Sequence, residues 1–137
     1  MENPQAIPPD PVSAPRPSLI TIAHIIYGLH SLSILIGLTS AVTIAGAFVF
    51  GIPSIAAVVM NYIYQSEVRG SFLESHFRWQ IRTFWFAVLW VGLGVLLVLT
   101  IVGILIAWAL FLGAGIWVIY RVGRGWLTLQ DRKTMAF

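Results

Sequence analysis

Residues 83–120 read TFWFAVLWVGLGVLLVLTIVGILIAWALFLGAGIWVIY and contain no Asp, Glu, Lys or Arg. As a single α-helix this stretch would be about 57 Å long, because a helix rises ~1.5 Å per residue. The hydrocarbon core of a bilayer is only ~30 Å thick, so such a helix is nearly twice as long as one crossing requires. The stretch therefore predicts two membrane spans that reverse near residues 100–103.

A second charge-free run covers residues 17–66, and the charged residues flank the two runs. It is long enough for two more spans, so four are predicted, at about residues 19–38, 42–65, 80–100 and 103–121. All eight basic residues then lie on one side of the membrane: Arg16, Arg69, Arg78, Arg82, Arg121, Arg124, Arg132 and Lys133. Because positively charged segments face the cytoplasm, both termini and the central loop are predicted to be cytoplasmic.

The composition agrees with a polytopic all-α membrane protein. The 137 residues are 58% hydrophobic and 9% charged, and the mean hydropathy is +0.88, too apolar for a soluble domain. Residues 18–124 are predicted to form two antiparallel hairpins of transmembrane helices, because short turns make consecutive helices antiparallel neighbours. Residues 1–17 carry six of the seven prolines and predict a disordered cytoplasmic arm. Residues 125–137 predict a cytoplasmic tail.

Polar side chains concentrate at the start of the third span, in the segment SFLESHFRWQIRTFW of residues 71–85. Ser71 and Glu74 have the spacing of a capping box, so a helix is predicted to begin directly after Ser71. At ~100° per residue, His76, Gln80 and Thr83 fall on one narrow stripe of that helix. The stripe is predicted to face the bundle interior, since polar groups that face lipid are costly.

The predicted polar interior cluster has five members: His76, Gln80, Thr83, His24 and Asn61. Two interpretations stay open. In the first, these groups hydrogen-bond to neighbouring helices and stabilise the bundle. In the second, the stripe lines a polar cavity that opens to the cytoplasm and admits a solute, a proton or a peptide. No metal site is predicted, because His24 and His30 lie about 120° apart on a regular helix.

The opposite face of the same helix carries Arg78 and Arg82. With Trp79 they are predicted to contact lipid headgroups, including anionic ones, because long cationic side chains reach towards phosphate and Trp favours the membrane interface.

Two further features concern how the helices bend and pack. Pro53 has no N–H to donate, so the second span is predicted to kink there without dividing into two crossings. Small residues recur every four positions in two rows, which are Ser33, Gly37, Ala41 and Ala45, and Ala109 with Gly113. Such rows predict seams along which a neighbouring backbone can approach closely, either within the bundle or between copies of the chain.

The stretch ESHFRWQIRTFW at residues 74–85 resembles a family of small bacterial inner-membrane proteins of unassigned function. The segments FGIPS at residues 50–54 and RGWL at residues 124–127 fit the same resemblance, which covers about residues 20–130. The family is distantly similar to the Tic-twenty-like proteins, whose plant members belong to the chloroplast import machinery. The resemblance implies four helices, a bacterial inner membrane and two cytoplasmic termini. It implies no catalytic residues, and import activity does not carry over.

The sequence predicts a membrane protein that is not an enzyme and holds no cofactor. It contains no metalloprotease, hydrolase, P-loop or dinucleotide motif, and its carboxylates lie in tails and loops. The leading hypothesis is a non-catalytic membrane subunit or scaffold, and the alternative is a small-solute transporter or channel component. The predicted partners are membrane lipids, and another membrane protein or a second copy of the chain stays open. Nucleic acid is not predicted as a partner, because the arginines are scattered.

Overall fold

The computed structural model describes residues 14–39, 43–100 and 102–136, and this part of the chain is all-α. Five helices follow one another: α1 (Pro17–Thr39), α2 (Ile44–Phe50), α3 (Ile52–Tyr64), α4 (Phe72–Val98) and α5 (Gly103–Gln130). α1, α4 and α5 are each long and apolar enough to cross a membrane. α2 and α3 pass the same test only as a bent pair, so the described chain contains three candidate spans, or four if the pair is one crossing.

Most of the predicted disordered arm, residues 1–13, lies outside the described residues, as do residues 40 and 41 of the predicted first reversal at 39–41. The end of the arm belongs to a helix, because α1 begins at Pro17. Proline is well suited to that position, since its missing N–H would have no partner in the first turn of a helix.

The described helices expose many large apolar side chains, and several polar side chains lie within their mainly apolar core. Ile52 is 83% exposed and Leu105 is 80% exposed, and many other large hydrophobic side chains lie on the outside. The buried polar side chains are His30, Ser33, Ser54, Asn61, His76, Gln80 and Thr83. Water-soluble proteins show the opposite tendency. This distribution, with the apolar helices, gives the chain the character of a membrane protein.

Helix α4 begins where the sequence predicts. The Ser71 hydroxyl accepts a hydrogen bond from the Leu73 N–H at 3.3 Å, and the Glu74 carboxylate accepts one from the Gly70 N–H at 2.9 Å. These bonds satisfy N–H groups that have no partner within the helix. The predicted start of α4 after Ser71 is therefore confirmed, but Glu74 bonds the N–H of Gly70 and not that of Ser71, whose N–H donates to the Val68 carbonyl.

Helices α4 and α5 form the most extensive helix pair of the structure. They are antiparallel: Thr83 of α4 is bonded to Arg121 of α5, and Phe86, further along α4, packs against Trp117, earlier on α5. The reversal predicted near residues 100–103 is confirmed, because α4 ends at Val98 and α5 begins at Gly103.

The second predicted span is broken rather than kinked. α2 and α3 meet at Gly51 with a bend of 53°. Pro53 lies in the first turn of α3, so the prediction that a continuous helix bends at Pro53 is wrong in detail. The physical reason is that proline is tolerated in the first turn of a helix but not in its interior, so the helix ends before it.

Gly51 allows α1 to approach this break. A Cβ on Gly51 would overlap the carbonyl oxygen of Ala47 and lie 3.0 Å from the Ser33 hydroxyl of α1. One turn from Ser33, Nδ1 of His30 is 2.6 Å from the hydroxyl of Ser54 in the first turn of α3. The polar face of α1 is thus packed against the broken helix.

Helix α5 extends to Gln130, beyond the predicted span at 103–121, so the predicted start of the cytoplasmic tail at residue 125 falls inside a helix. After α5 the chain folds back onto α4. The Met135 side chain is buried, and the Met135 N–H donates to the Ser75 hydroxyl at 3.0 Å.

Candidate functional site

His76 joins three segments of the chain at the start of α4. Its Nε2 is 2.7 Å from the Lys133 carbonyl oxygen, and its Nδ1 is 3.0 Å from the Tyr27 hydroxyl of α1. A carbonyl oxygen only accepts hydrogen bonds, so Nε2 carries the proton. In the neutral imidazole Nδ1 then accepts from Tyr27. His76 therefore links α1, α4 and the segment after α5.

A small internal cavity lies next to this junction. Polar atoms reach it from three helices: its lining includes Tyr27, His30, Gln80, Thr83 and Arg121. The volume open to the centre of a water molecule is about 10 Å³. One buried water needs ~10–15 Å³ by this measure. The cavity therefore has room for about one water and none for a larger solute.

Several polar atoms around the cavity make no hydrogen bond of good geometry. These are both amide atoms of Gln80 and Nε2 of His30, although the Gln80 amide is close enough to the Tyr27 hydroxyl to interact with it electrostatically. An unsatisfied buried polar group costs ~1–3 kcal/mol, and a bridging water removes much of that cost. The arrangement of these atoms suits one ordered water.

Arg121 brings a guanidinium to the edge of the same cavity. Its Nε donates to the Thr83 hydroxyl at 2.7 Å, and its Cζ lies 3.5 Å from the ring centroid of Trp79 and 4.9 Å from that of Trp117. Stacking on aromatic rings stabilises a cation electrostatically. Within the described part of the chain, Arg121 forms no salt bridge with a carboxylate.

The structure brings together only part of the predicted interior cluster. Gln80 and Thr83 line the cavity, and His76 is connected to it through Tyr27. His24 is half-buried and accepts from the indole N–H of Trp126 at 3.2 Å, away from the cavity. Asn61 is fully buried on α3 but does not line the cavity, and its amide atoms have no hydrogen-bond partner in the described chain.

The predicted headgroup-facing set needs one correction. Arg78 and Arg82 are exposed, and Arg78 pairs with Glu74 at 2.8 Å. Trp79 is only 6% exposed, and its indole N–H donates to the Arg121 carbonyl at 3.2 Å. Its prediction as a lipid headgroup contact is therefore wrong, because Trp79 lies on the buried face of α4 and not on the face of Arg78 and Arg82.

Trp79 lies three residues after His76 and four before Thr83, on the same buried stripe. That spacing in the sequence was the signal for its burial.

A sequence signal also existed for Arg121, which lies at the end of the fourth span. It is level with Thr83 once the third and fourth spans are paired antiparallel. Tyr27 and His30 are three residues apart on the first span and so share a face. No sequence feature indicated that Lys133 lies against His76.

An open apolar groove lies between α4 and α5, next to Arg121 but on the outer surface. Its volume is about 500 Å³, and its lining includes Phe86, Trp90, Ala109, Gly113 and Trp117. Ala109 and Gly113 are exposed. The predicted seam of small residues thus faces this groove, and no helix of the described chain packs into it.

No group of three or more His, Asp or Glu residues that could hold a metal ion occurs in residues 14–39, 43–100 and 102–136. Comparisons of the chain with family models, with curated proteins and with solved structures give no match. The resemblance to small bacterial inner-membrane proteins, distantly Tic-twenty-like, stays a prediction.

Proposed function

We propose that the chain is a four-span protein of the bacterial inner membrane with both termini cytoplasmic, and that it serves as a non-catalytic membrane subunit or scaffold. The observation that supports the topology best is a pair of contacts among the segments at the predicted cytoplasmic ends of the spans. Arg16, before α1, forms a salt bridge with Glu67, between α3 and α4. Lys133, after α5, is bonded to His76 near the start of α4. Contacts of this kind support a position on the same side of the membrane for these segments, as four crossings require.

Helix lengths support counting α2 and α3 as one crossing. α2 has 7 residues and α3 has 13, which correspond to roughly 10 Å and 20 Å of helix. Neither spans the ~30 Å hydrocarbon core alone, but the two in succession nearly do. The break at Gly51 then lies within the bilayer, where α1 covers it and its polar groups are buried in protein.

The scaffold role is supported by the hydrogen bonds that polar side chains form between helices. His76 with Tyr27, His30 with Ser54, and Arg121 with Thr83 each connect two different helices. Such bonds stabilise a bundle in lipid, where the hydrophobic effect does not drive helices together. The apolar outer surface of the described helices is left for lipid or for another membrane protein.

Site-specific photo-crosslinking in native membranes tests the subunit role. The crosslinker is placed at Leu35 of α1, which is 58% exposed, and the control position is the adjacent Ile34, which is 8% exposed. Leu105 of α5 and Ile63 of α3 sample two other outer faces. A subunit gives one discrete protein adduct from at least one exposed position and none from Ile34. Adducts with lipid alone at every exposed position contradict the role.

A small-solute transporter or channel component is the second candidate. It is favoured by the cavity, where Arg121 and the amide of Gln80 lie near a broken helix, an arrangement found at transporter sites. The size of the cavity argues against it in this conformation, since about 10 Å³ holds no solute larger than water. Ion flux into proteoliposomes that is abolished by Gln80→Leu, with Gln130→Leu as the exposed control, would favour this candidate over the scaffold.

A further inference from the structure

The open groove between α4 and α5 has the dimensions of a ligand site. Its volume of about 500 Å³ lies within the ~300–1,000 Å³ of small-molecule pockets. Aromatic side chains form its walls, and the small residues Ala109 and Gly113 leave its floor open. A Cβ added to Gly113 would meet no atom within 4 Å. The groove is therefore a space along the outside of the helix pair that an apolar chain can fill.

Basic side chains lie at the cytoplasmic end of the groove. Phe86 and Trp117 face each other across it with ring centroids 6.2 Å apart. Four residues further towards that end are Arg82 on α4 and Arg121 on α5, which therefore lie at the same level. Arg82 and Arg124 are both close enough to repel Arg121 electrostatically. In the described chain neither Arg121 nor Arg124 forms a salt bridge with a carboxylate.

We propose that this groove binds an anionic phospholipid, with the phosphate near Arg82, Arg121 and Arg124 and one acyl chain along the groove. The inference rests on the proposed membrane topology, which puts the arginines at headgroup depth. A guanidinium presents paired N–H donors that match phosphate oxygens. Twelve residues separate Arg121 from Ala109, about 18 Å along α5. That distance is close to one leaflet of a ~30 Å core, so the groove is long enough for one acyl chain.

The charges favour a lipid over a second copy of the chain in this groove. Two copies in one membrane share one orientation, so a second copy would bring its own arginines to the same level. Arg121 and Arg124, which form no salt bridge with a carboxylate in the described residues, would then face further positive charges. An anionic headgroup instead brings a negative charge to these two side chains, and its acyl chain covers the apolar walls.

Native mass spectrometry of the full-length chain in mild detergent tests the proposal. Phosphatidylglycerol and phosphatidylcholine with identical acyl chains are added at equal concentration. One cation near the headgroups contributes about fivefold to the retention of an anionic lipid, so at least that preference for phosphatidylglycerol is expected. Arg121→Gln should reduce the preference about fivefold. Arg69→Gln, in the loop before α4, makes the same change in net charge and should leave the preference intact.

A second pair of variants tests the groove itself, because Arg121→Gln also removes the bond to Thr83 and can weaken the fold. Gly113→Leu adds a side chain to the groove at a position where a Cβ meets no atom within 4 Å, and it should reduce the retention of phosphatidylglycerol severalfold. Gly92→Leu is the matched control: Gly92 is also an exposed helical glycine with open space around its Cβ, but it lies outside the groove. It should bind lipid like the wild type.

Four results would overturn the proposal. Equal retention of the two lipids would show that the headgroup charge does not contribute to binding. Retention of phosphatidylglycerol by Gly113→Leu at the wild-type level would show that no acyl chain occupies the groove. Displacement of phosphatidylglycerol by inorganic phosphate at equal concentration makes free phosphate the ligand. A change of oligomeric state in Gly113→Leu makes the groove an interface between copies. None of these results affects the proposed topology, which is tested separately by reporter fusions.

Discussion

Replacing Gly125 by alanine should destabilise the protein, whereas the same change at Gly123 should not. A Cβ on Gly125 would overlap the Tyr27 hydroxyl and lie 2.7 Å from Cε1 and 2.9 Å from Cζ of the same ring. The ring has little freedom to move, because Tyr27 is 1% exposed and its hydroxyl is bonded to His76. A Cβ on Gly123 would meet no atom within 4 Å.

Both variants gain the same intrinsic helix propensity, up to ~1 kcal/mol for Gly to Ala, so this gain cancels in the comparison. Overpacking a rigid contact costs ~1–3 kcal/mol. We therefore expect the free energy of unfolding of Gly125→Ala to be ~1–3 kcal/mol lower than that of Gly123→Ala. In small domains each kcal/mol lowers the melting temperature by roughly 2–8 °C. Thermal melting in mild detergent, monitored by the loss of monodisperse protein, measures the difference. Equal melting temperatures would show that α5 does not contact Tyr27 as described.

Three other outcomes follow from the interior packing. Tyr27→Phe should lower the free energy of unfolding by ~1–3 kcal/mol, because it leaves Nδ1 of His76 without a partner. Gln80→Leu should be neutral or stabilising in the same melting assay, because it removes an amide with no well-formed hydrogen bond. A decrease of more than about 1 kcal/mol in the free energy of unfolding would show that the amide is bonded. Pro53→Ala should leave both melting temperature and topology unchanged, since an N–H in the first turn of α3 has no helical partner. Gly51→Ala should lower the melting temperature, because its Cβ would overlap the Ala47 carbonyl oxygen. If Pro53→Ala lowers the melting temperature and Gly51→Ala does not, Pro53 and not Gly51 determines the bend.

The sequence was sufficient for the outline of the helices because that outline depends on local composition. Long apolar runs set the helix lengths, and the pair Ser71 and Glu74 sets the start of α4. The break within the second span was harder to predict. Proline indicated a disturbance at Pro53, but the position of the break depends on Gly51 and on its contact with Ser33 of another helix.

The candidate site was only partly predictable for a similar reason. Helical periodicity identified the buried face of α4 that carries Gln80 and Thr83. It gave no information about which side chains approach that face from α1 and α5. Arg121 was assigned to the basic flank by its charge, yet its guanidinium packs on Trp79 next to the cavity. Such pairings depend on the rotation of each helix in the bundle, which a single sequence does not contain.

Topology mapping with dual reporter fusions tests the central claim most directly, because α2 and α3 could form either one broken crossing or a re-entrant loop. Fusions are made after Ser40, Gly70, Thr100 and Phe137 of the full chain. Four crossings with cytoplasmic termini predict a cytoplasmic signal at Gly70 and Phe137 and an external signal at Ser40 and Thr100. A re-entrant α2–α3 pair would leave three crossings and give an external signal at Gly70 and Phe137, which would contradict the account.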